Sequence, residues 1–143
     1  KILKETGLKV AQLHGSEPPE VAATLGVDVI KSVENYNPDS LESLRKYDVF
    51  AYLLDVPKGS ATRNSIDVQW AQCAKKFGRL FLSGRLTAET ASDLVARIRP
   101  FGVDVCSATE ISPGRKDLSK VRDFIQAVRS AAAATAKIKV VPR

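Results

Sequence analysis

The chain of 143 residues suits one domain with a normal core, and its 44% apolar and 27% charged residues are ordinary for a globular protein. No apolar run approaches the ~20 residues of a membrane helix, and no secretory signal is visible, so we expect no membrane partner. The formal charge of +6 is spread over the predicted helices without an RNA-stacking motif or a recognition helix. This distribution argues against a nucleic-acid partner and fits a phosphorylated small molecule.

Cysteine usage indicates a reduced, cytoplasmic setting. The chain has two cysteines, Cys73 in a helical pattern and Cys106 at a predicted strand end, with no C-x-x-C pair. His14 is the single histidine, so no histidine cluster accompanies the thiols. We therefore expect neither a metal nor a cofactor.

Strand and helix patterns alternate along the chain. Lys1 to Gly7 is typical of the last turn of a helix that a glycine closes. Ser16 and Asn37-Pro38 are typical helix starts, and Pro100 is a typical stop. The predicted strands are residues 9–13, 27–33, 48–54, 80–82 and 103–105. The predicted helices after the first are residues 16–25, 37–46, 66–77, a segment ending at 100, and 116–133.

Residues 81–117 contain the most informative pattern. Two short apolar runs there each end in small polar residues, Ser83-Gly84 and Cys106 to Thr109, with a helical pattern between them. A strand, loop, helix, strand and loop in this order imply a parallel sheet, because the crossover returns the second strand in the same direction. Small residues at both strand ends bare backbone N–H groups towards one spot, as in the phosphate site of an α/β barrel. A tight turn without a ligand explains the spacing equally well.

The strand predicted at residues 48–54 is nearly continuous in apolar residues, as a strand covered on both faces should be. It ends in Asp55, which on the pattern alone more often caps the following loop than takes part in chemistry. His14, at the end of the first strand, is likewise more often a structural hydrogen-bonding residue than a catalyst. Five βα units are too few to close an eight-stranded barrel, so these residues fit either an open sheet or the back part of a barrel.

Four blocks of residues agree in order, spacing and chemistry with one enzyme family. They are Val10-Ala-Gln-Leu-His-Gly15, Leu53-Leu-Asp55, Leu82-Ser-Gly-Arg-Leu86, and Gly102-Val-Asp-Val-Cys-Ser107 with Glu110 and Ser112-Pro-Gly-Arg-Lys-Asp117. Together they resemble phosphoribosylanthranilate isomerase, the (βα)8-barrel enzyme of tryptophan biosynthesis. The resemblance implies an α/β fold, a partial TIM barrel of five parallel βα units that correspond to units 4–8. Residues 1–130 would form this partial barrel, beginning at the end of the third helix, and residues 131–143 would be a frayed tail.

The resemblance also implies a reaction. Family members isomerise N-(5-phosphoribosyl)anthranilate to a ketone by an Amadori rearrangement, with a cysteine base after the first strand and an aspartate acid after the sixth. The acid matches Asp55, and a carboxyl group partly withdrawn from water at a barrel mouth can hold a proton for the ring oxygen. The cysteine base and an arginine of the second unit would lie before residue 1. Cys106 does not match the base, and we expect it to be a small buried apolar residue; Cys73 is no match either.

Phosphate binding carries over by position. The family holds the phosphate with backbone amides of a Gly-Gly pair and a Ser-Gly pair, which correspond here to Gly84-Arg85 and Ser107-Ala108. Arg85 and Ala108 replace the second glycine of each pair, so each adds a Cβ where backbone approaches a ligand or takes positive φ. Arg85 could still pair with phosphate through its charge. The loop of residues 56–65 also departs from the family pattern, and Val68 replaces the usual aromatic.

Two hypotheses follow from the resemblance. In the first, the chain is an isomerase fragment without its cysteine base, and is inactive alone. In the second, it is a non-catalytic, diverged partial barrel that binds a phosphorylated ligand or pairs with another half-barrel. A homo-oligomer formed through the open barrel edges is compatible with both, because unpaired edges favour association.

Overall fold

The computed structural model of the chain describes residues 2–33, 38–56 and 66–136. Three parts of the sequence predictions lie outside these ranges. They are the helix start at Asn37, residues 57–65 of the predicted loop, and residues 137–143 of the predicted tail. Within the described ranges, no helix is both long enough and apolar enough to cross a lipid bilayer.

Strands and helices alternate along the described residues, as the sequence predicts. The strands are β1 Val10–Leu13, β2 Asp28–Val33, β3 Ala51–Leu54, β4 Arg79–Leu82, β5 Gly102–Val103, β6 Glu110–Ser112 and β7 Arg115–Lys116. The helices are α1 Ile2–Thr6, α2 Pro19–Thr24, α3 Pro38–Leu44, α4 Val68–Ala74, α5 Ala88–Ile98 and α6 Leu118–Ala136. A 3-10 turn at Lys75–Phe77 continues α4, and another at Ser107–Thr109 follows β5.

The five predicted strands form one parallel sheet in sequence order, from β1 to β5. This confirms the α/β fold with five parallel strands. Each strand lies beside its predecessor, because helices such as α3 and α5 carry the chain back to the start of the sheet. The carboxyl ends of all five strands therefore lie along one edge, where the predicted site residues follow them.

The core lies between one face of the sheet and the helices. Leu54, Leu80 and Leu82 alternate with residues of the opposite face and are among the largest fully buried side chains. All four residues of β3 are buried, which confirms the prediction of a strand covered on both faces. The helices contribute the rest of this core, including Leu44, Trp70, Ala71, Leu94, Ile98 and Phe124.

Helix α5 has the best-defined ends in the described part of the chain. Thr87 and Thr90 form a reciprocal capping box: the Thr90 N–H donates to Thr87 Oγ1 at 3.3 Å, and the Thr87 N–H donates to Thr90 Oγ1 at 2.8 Å. The helix ends at Arg99, which has a left-handed conformation with φ of 53° and donates its N–H to the Val95 carbonyl. Pro100 follows, so the predicted stop is confirmed.

Several predicted boundaries were wrong. The strand predicted from residue 48 begins at Ala51, and α6 begins at Leu118 instead of residue 116, because Lys116 belongs to β7. Ser16 does not cap α2, because the helix starts three residues later at Pro19 and its N-cap, Pro18, has no side-chain oxygen to accept a hydrogen bond. Proline at the first helical position needs no such partner for its missing N–H. Helix α6 continues to Ala136, past the predicted end near residue 133 and into the predicted frayed tail. Alanine is the strongest helix former, and Ala131 is buried.

The segment after β5 also differs from the prediction. The strand pairing ends at Val103 instead of residue 105, and Pro113-Gly114 does not simply break the chain. It is the turn of a short antiparallel hairpin, in which β6 pairs with β7. Gly114 supplies the positive φ of 78° that this turn requires.

Candidate active site

A cleft of about 410 Å³ opens at the carboxyl ends of the strands. It lies on the face of the sheet opposite the helices, and its walls come from the segments that follow β1, β3, β4 and β5. The structure therefore brings Asp55, Gly84, Arg85, Ser107 and Ala108 to one cavity. The other lining residues are Gln12, His14, Leu53, Val56, Ser83, Leu86, Asp104, Val105 and Cys106.

Asp55 continues β3 into this cleft. Its N–H donates to the Val33 carbonyl at 3.1 Å, so the backbone is still held by the neighbouring strand where the side chain leaves the sheet. The side chain is 24% exposed, and its Oδ2 lies 3.7 Å from Nε2 of His14. The carboxyl group is thus reachable from the cleft and has an imidazole beside it.

Gly84 packs against Asp55 so closely that a side chain at this position would not fit. An added Cβ would fall 2.6 Å from the Val56 nitrogen and 2.9 Å from Asp55 Oδ1, and the φ of Gly84 is 88°. Glycine is required here for two reasons, because a side chain would both clash and strain the backbone. The predicted acid and the predicted phosphate loop are therefore in direct contact through this residue.

Arg85 also has a left-handed backbone, with φ of 52°, although it carries a Cβ. The energetic penalty of this conformation is about 1–2 kcal/mol for a residue other than glycine. The Arg85 side chain is exposed at the rim of the cleft. The family resemblance predicts glycine at this position, and a φ of 52° is typical of a position that favours glycine.

Ser107 and Ala108 begin the 3-10 turn after β5 and line the opposite wall of the cleft. Ser107 is exposed and Ala108 is half-buried. Thr109 anchors the turn: it is buried, its hydroxyl donates to the Cys106 carbonyl at 2.9 Å, and its own carbonyl accepts from the Asp117 N–H at 2.8 Å. The turn is thus fixed at its carboxyl end while its first two residues face the cleft.

Ser83 and Asp104 were not predicted as site residues. A hydrogen bond between their side chains links the segments that carry the two predicted phosphate loops. The Ser83 hydroxyl donates to Asp104 Oδ2 at 3.1 Å, and the Asp104 N–H donates to the Leu82 carbonyl at 2.8 Å. Both residues directly follow strands β4 and β5 and share the cleft face. Their position, two residues beyond the inward-facing Phe81 and Gly102, is a signal that could have identified them.

Gln12 and Ser32 were also not predicted as site residues. Gln12 contacts the His14 ring, and Ser32 contacts Gln12. Gln12 Nε2 is 3.3 Å from His14 Nδ1 and donates to Ser32 Oγ at 3.3 Å. These residues share one face because successive side chains alternate along β1. Which ring nitrogen of His14 carries the proton decides whether Gln12 donates to it.

Cys106 is exposed, so the prediction of a small buried apolar residue was wrong. The strand ends at Val103, which leaves Cys106 in the loop beyond the sheet. Its thiol donates to Glu110 Oε1 at 3.6 Å, and Lys116 Nζ lies 3.6 Å from the sulfur and donates to the Cys106 carbonyl at 2.7 Å. The hydrogen bond from Lys116 holds the pKa of Glu110 below its ordinary value of 4.5. The other thiol, Cys73, is half-buried in α4, away from the cleft.

The cleft combines an acid with backbone suited to an anion. Asp55 can exchange a proton with a bound molecule, and the loops of Gly84 and Ser107 present backbone towards the same space. Among the described residues there is no group of three or more His, Cys, Asp or Glu side chains that could hold a metal ion. This arrangement suits acid–base chemistry on a small phosphorylated molecule.

Comparison with known proteins gives one consistent result. A family model described as N-(5'-phosphoribosyl)anthranilate (PRA) isomerase matches residues 1–127. A curated relative, the N-(5'-phosphoribosyl)anthranilate isomerase of Geobacter sp. (strain M21), is 40% identical over 122 residues. This alignment covers 83% of the chain and 60% of the Geobacter protein, so the chain spans about three fifths of the length of the relative.

Solved structures of the same family have the same fold. The chain is similar to the phosphoribosyl anthranilate isomerase of Thermotoga maritima, with a TM-score of 0.78 and 31% identity over 90% of this chain and 65% of that one. It is also similar to an isomerase in complex with reduced 1-(o-carboxyphenylamino)-1-deoxyribulose 5-phosphate, with a TM-score of 0.76 and 30% identity over 90% of this chain and 63% of that one.

Proposed function

The chain belongs to the N-(5'-phosphoribosyl)anthranilate isomerase family, and on this premise we propose that it supplies the acid and the phosphate loops of such an isomerase. The reaction is the conversion of N-(5'-phosphoribosyl)anthranilate to the 1-deoxyribulose-5-phosphate ketone in tryptophan biosynthesis, in the cytoplasm. The observation that carries this proposal is the contact between Asp55 and Gly84 within one cleft.

Each residue has a role in the proposal. Asp55 is the general acid that delivers a proton to the furanose ring oxygen. The phosphate is bound by backbone amides of Gly84, Arg85, Ser107 and Ala108, with the Arg85 guanidinium adding a charge at the rim. The residues printed here contain no counterpart of the cysteine base that the resemblance implies. We propose that residues 1–130 correspond to units 4–8 of a (βα)8 barrel, because the four blocks of residues match that part of the family in order and spacing.

A tryptophan auxotroph that lacks the isomerase tests the activity. We expect the chain alone not to restore growth without tryptophan, because a missing base lowers the rate by at least ~10²-fold. Co-expression with the part of the Geobacter relative that the chain does not cover should restore growth, and Asp55→Asn should abolish that rescue. Rescue that persists with Asp55→Asn would refute the role of the acid.

Direct binding tests the phosphate loops without turnover. The probe is reduced 1-(o-carboxyphenylamino)-1-deoxyribulose 5-phosphate, which is bound in one of the similar isomerase structures. Calorimetry should detect binding to the chain and a clear loss of affinity for the same compound without its phosphate. Equal affinity for both compounds would refute phosphate binding by these loops.

The second candidate is a non-catalytic partial barrel that binds a phosphorylated ligand or pairs with another half-barrel. It is favoured by the Cβ atoms of Arg85 and Ala108 at the two positions where the family has glycine. Homo-oligomer formation fits this candidate too, and the Thermotoga maritima isomerase is dimeric. Ligand binding without rescue of the auxotroph, even after co-expression, is the result expected for this candidate.

A further inference from the structure

Both backbone polar groups of Gly15, the residue after His14, are bound by one ion pair, Glu17 and Lys31. The Gly15 N–H donates to the Glu17 carboxylate, at 3.1 Å to Oε1 and 3.0 Å to Oε2. On the other side, Lys31 Nζ donates to the Gly15 carbonyl and to Glu17 Oε2, the latter at 3.1 Å. We call Glu17 and Lys31 the Gly15 clamp.

The clamp is anchored in the layer between the sheet and the helices. The Lys31 side chain is only 6% exposed, and it projects from β2 away from the cleft, with Nζ 5.9 Å from the centroid of the Tyr47 ring. The Tyr47 hydroxyl donates to the Glu17 carbonyl at 2.8 Å. A buried ammonium group needs partners of this kind, because an unpaired charge is costly in such surroundings.

Hydrogen bonds stabilise the ionised form of Glu17. The bond with its own backbone contributes most to a pKa held below the ordinary value of 4.5, followed by those from Lys31 and Gly15, although partial burial opposes them. At neutral pH the carboxylate is therefore available to both partners. The clamp is also compact, because an added Cβ on Gly15 would lie 3.0 Å from Glu17 Oε1.

The clamp has a mechanical consequence for the cleft. The segment after β1 leads from the sheet to α2 and comprises residues 14–18. His14 lies in this segment, and its Nε2 is 3.7 Å from Asp55 Oδ2. Because Gly15 directly follows His14, hydrogen bonds that fix the Gly15 backbone limit where the His14 side chain can lie.

From this geometry we infer that Glu17 and Lys31 are positioning residues, which act through Gly15 to hold the His14 imidazole beside the Asp55 carboxylate. The significance for catalysis rests on the proposed function, since Asp55 is the acid only in that reaction. The placement itself is a property of the folded chain. It can be measured without substrate, so failure of the isomerase assignment and failure of the positioning give different results.

The test is a double-mutant cycle on the imidazole resonances of the complete 143-residue chain. His14 is the single histidine, so its ring signals need no further assignment. At one fixed neutral pH, Asp55→Asn should change these chemical shifts in the wild-type background. In the Glu17→Gln background the same substitution should produce a change at least about twofold smaller, because residues in one network are coupled. Lys31→Met should act in the same direction.

Glu20→Gln is the matched control, since it removes one exposed negative charge from α2 without contacting Gly15. In that background the response to Asp55→Asn should equal the wild-type response. An unreduced response in Glu17→Gln, or no response in wild type, would overturn the inference. If Lys31→Met fails to fold, Glu17→Gln decides, because its side chain is 32% exposed. Unfolding of Glu17→Gln would also overturn it, since the pair would then stabilise the whole fold instead of one side chain.

Discussion

Gly84 and Gly114 both have positive φ, but only Gly84 is surrounded by other atoms. Both should lose about 1–2 kcal/mol of folding free energy on substitution by alanine, because each would strain the left-handed backbone. Gly84→Ala should lose at least about 1 kcal/mol more, because its Cβ would overlap the Val56 nitrogen and Asp55. Urea unfolding of the two variants measures the difference. Equal losses would show that the loop can move away from Asp55.

Arg85 offers a test of strain at the rim of the cleft. Arg85→Gly and Arg85→Ala both remove the side chain, but only glycine relieves the φ of 52°. Arg85→Gly should therefore be more stable than Arg85→Ala by about 1 kcal/mol in urea unfolding.

Arg97, inside α5, provides the control for Arg85, and there the order should reverse. Arg97 lies in the last turn of α5, and glycine is less favourable than alanine in a helix by up to about 1 kcal/mol. An Arg85 pair that followed the order of the Arg97 pair would contradict the strain at this loop.

Glu17 should make stability depend on pH in a defined direction. Its pKa is lowered in the folded chain, so its stabilising contribution is present above the ordinary value of 4.5 and is lost as the pH falls through the folded value. Glu17→Gln resembles the protonated side chain. Its deficit relative to wild type in urea unfolding should be largest near neutral pH and shrink in acid. A deficit that stays constant with pH would argue that the charge of Glu17 is irrelevant to the clamp.

The sequence predicts residue positions well where they follow from backbone conformation or from the ends of neighbouring strands. The left-handed character of Arg85 follows from its place in a glycine pair, and the convergence of Asp55, Gly84 and Ser107 follows from parallel strands. The clamp could not be predicted, because it joins Glu17 and Lys31 across two elements. Its one visible signal is a lysine in the middle of the apolar run that forms β2. The prediction that Cys106 is buried was wrong because it assumed that Cys106 directly follows a strand, whereas β5 ends three residues earlier, at Val103.

At the scale of elements, α5 depends on its capping box. Thr87→Ala removes the oxygen that accepts from the Thr90 N–H and should destabilise the chain by about 1 kcal/mol. Thr87→Ser retains the oxygen and should lose much less. Both are measured by the midpoint of urea unfolding. Similar losses for the two variants would assign the effect to the methyl group of Thr87 instead of the cap.

Element boundaries were predictable where one residue enforces them. Pro100 ends a helix because a proline cannot continue it. The cap of α4 was not predicted: Asp67 accepts from the Trp70 N–H at 3.0 Å, so α4 begins two residues after the predicted start. The hairpin of β6 and β7 was missed, because its strands are two or three residues long and mostly exposed, so they carry no apolar alternation. The start of α2 was missed because its prolines define it without a side-chain cap.

At the scale of the whole molecule, the sheet has two unequal faces. The helix-covered face holds the core, whereas the cleft face carries polar side chains at its edge and aromatic ones further down. There Phe101 packs edge-on against Phe50 and Phe81, with ring centroids 6.0 and 5.3 Å apart, and yet it remains exposed. An aromatic cluster with one exposed ring is typical of a surface that another part of a protein covers.

Strand β1 also has an exposed edge, since it pairs with β2 alone among the described residues, and Val10 on it is 45% exposed. Unpaired edges with apolar side chains promote association. We expect the sedimentation coefficient of the chain to rise with concentration, and Val10→Lys to reduce this rise. Ile2→Lys is the control, because it adds the same charge to α1, where Ile2 is 71% exposed and lies outside the sheet. Equal effects of the two substitutions would show that net charge, and not the edge of β1, controls association. A sedimentation coefficient that stays constant with concentration would show that the edge of β1 does not bind a second copy.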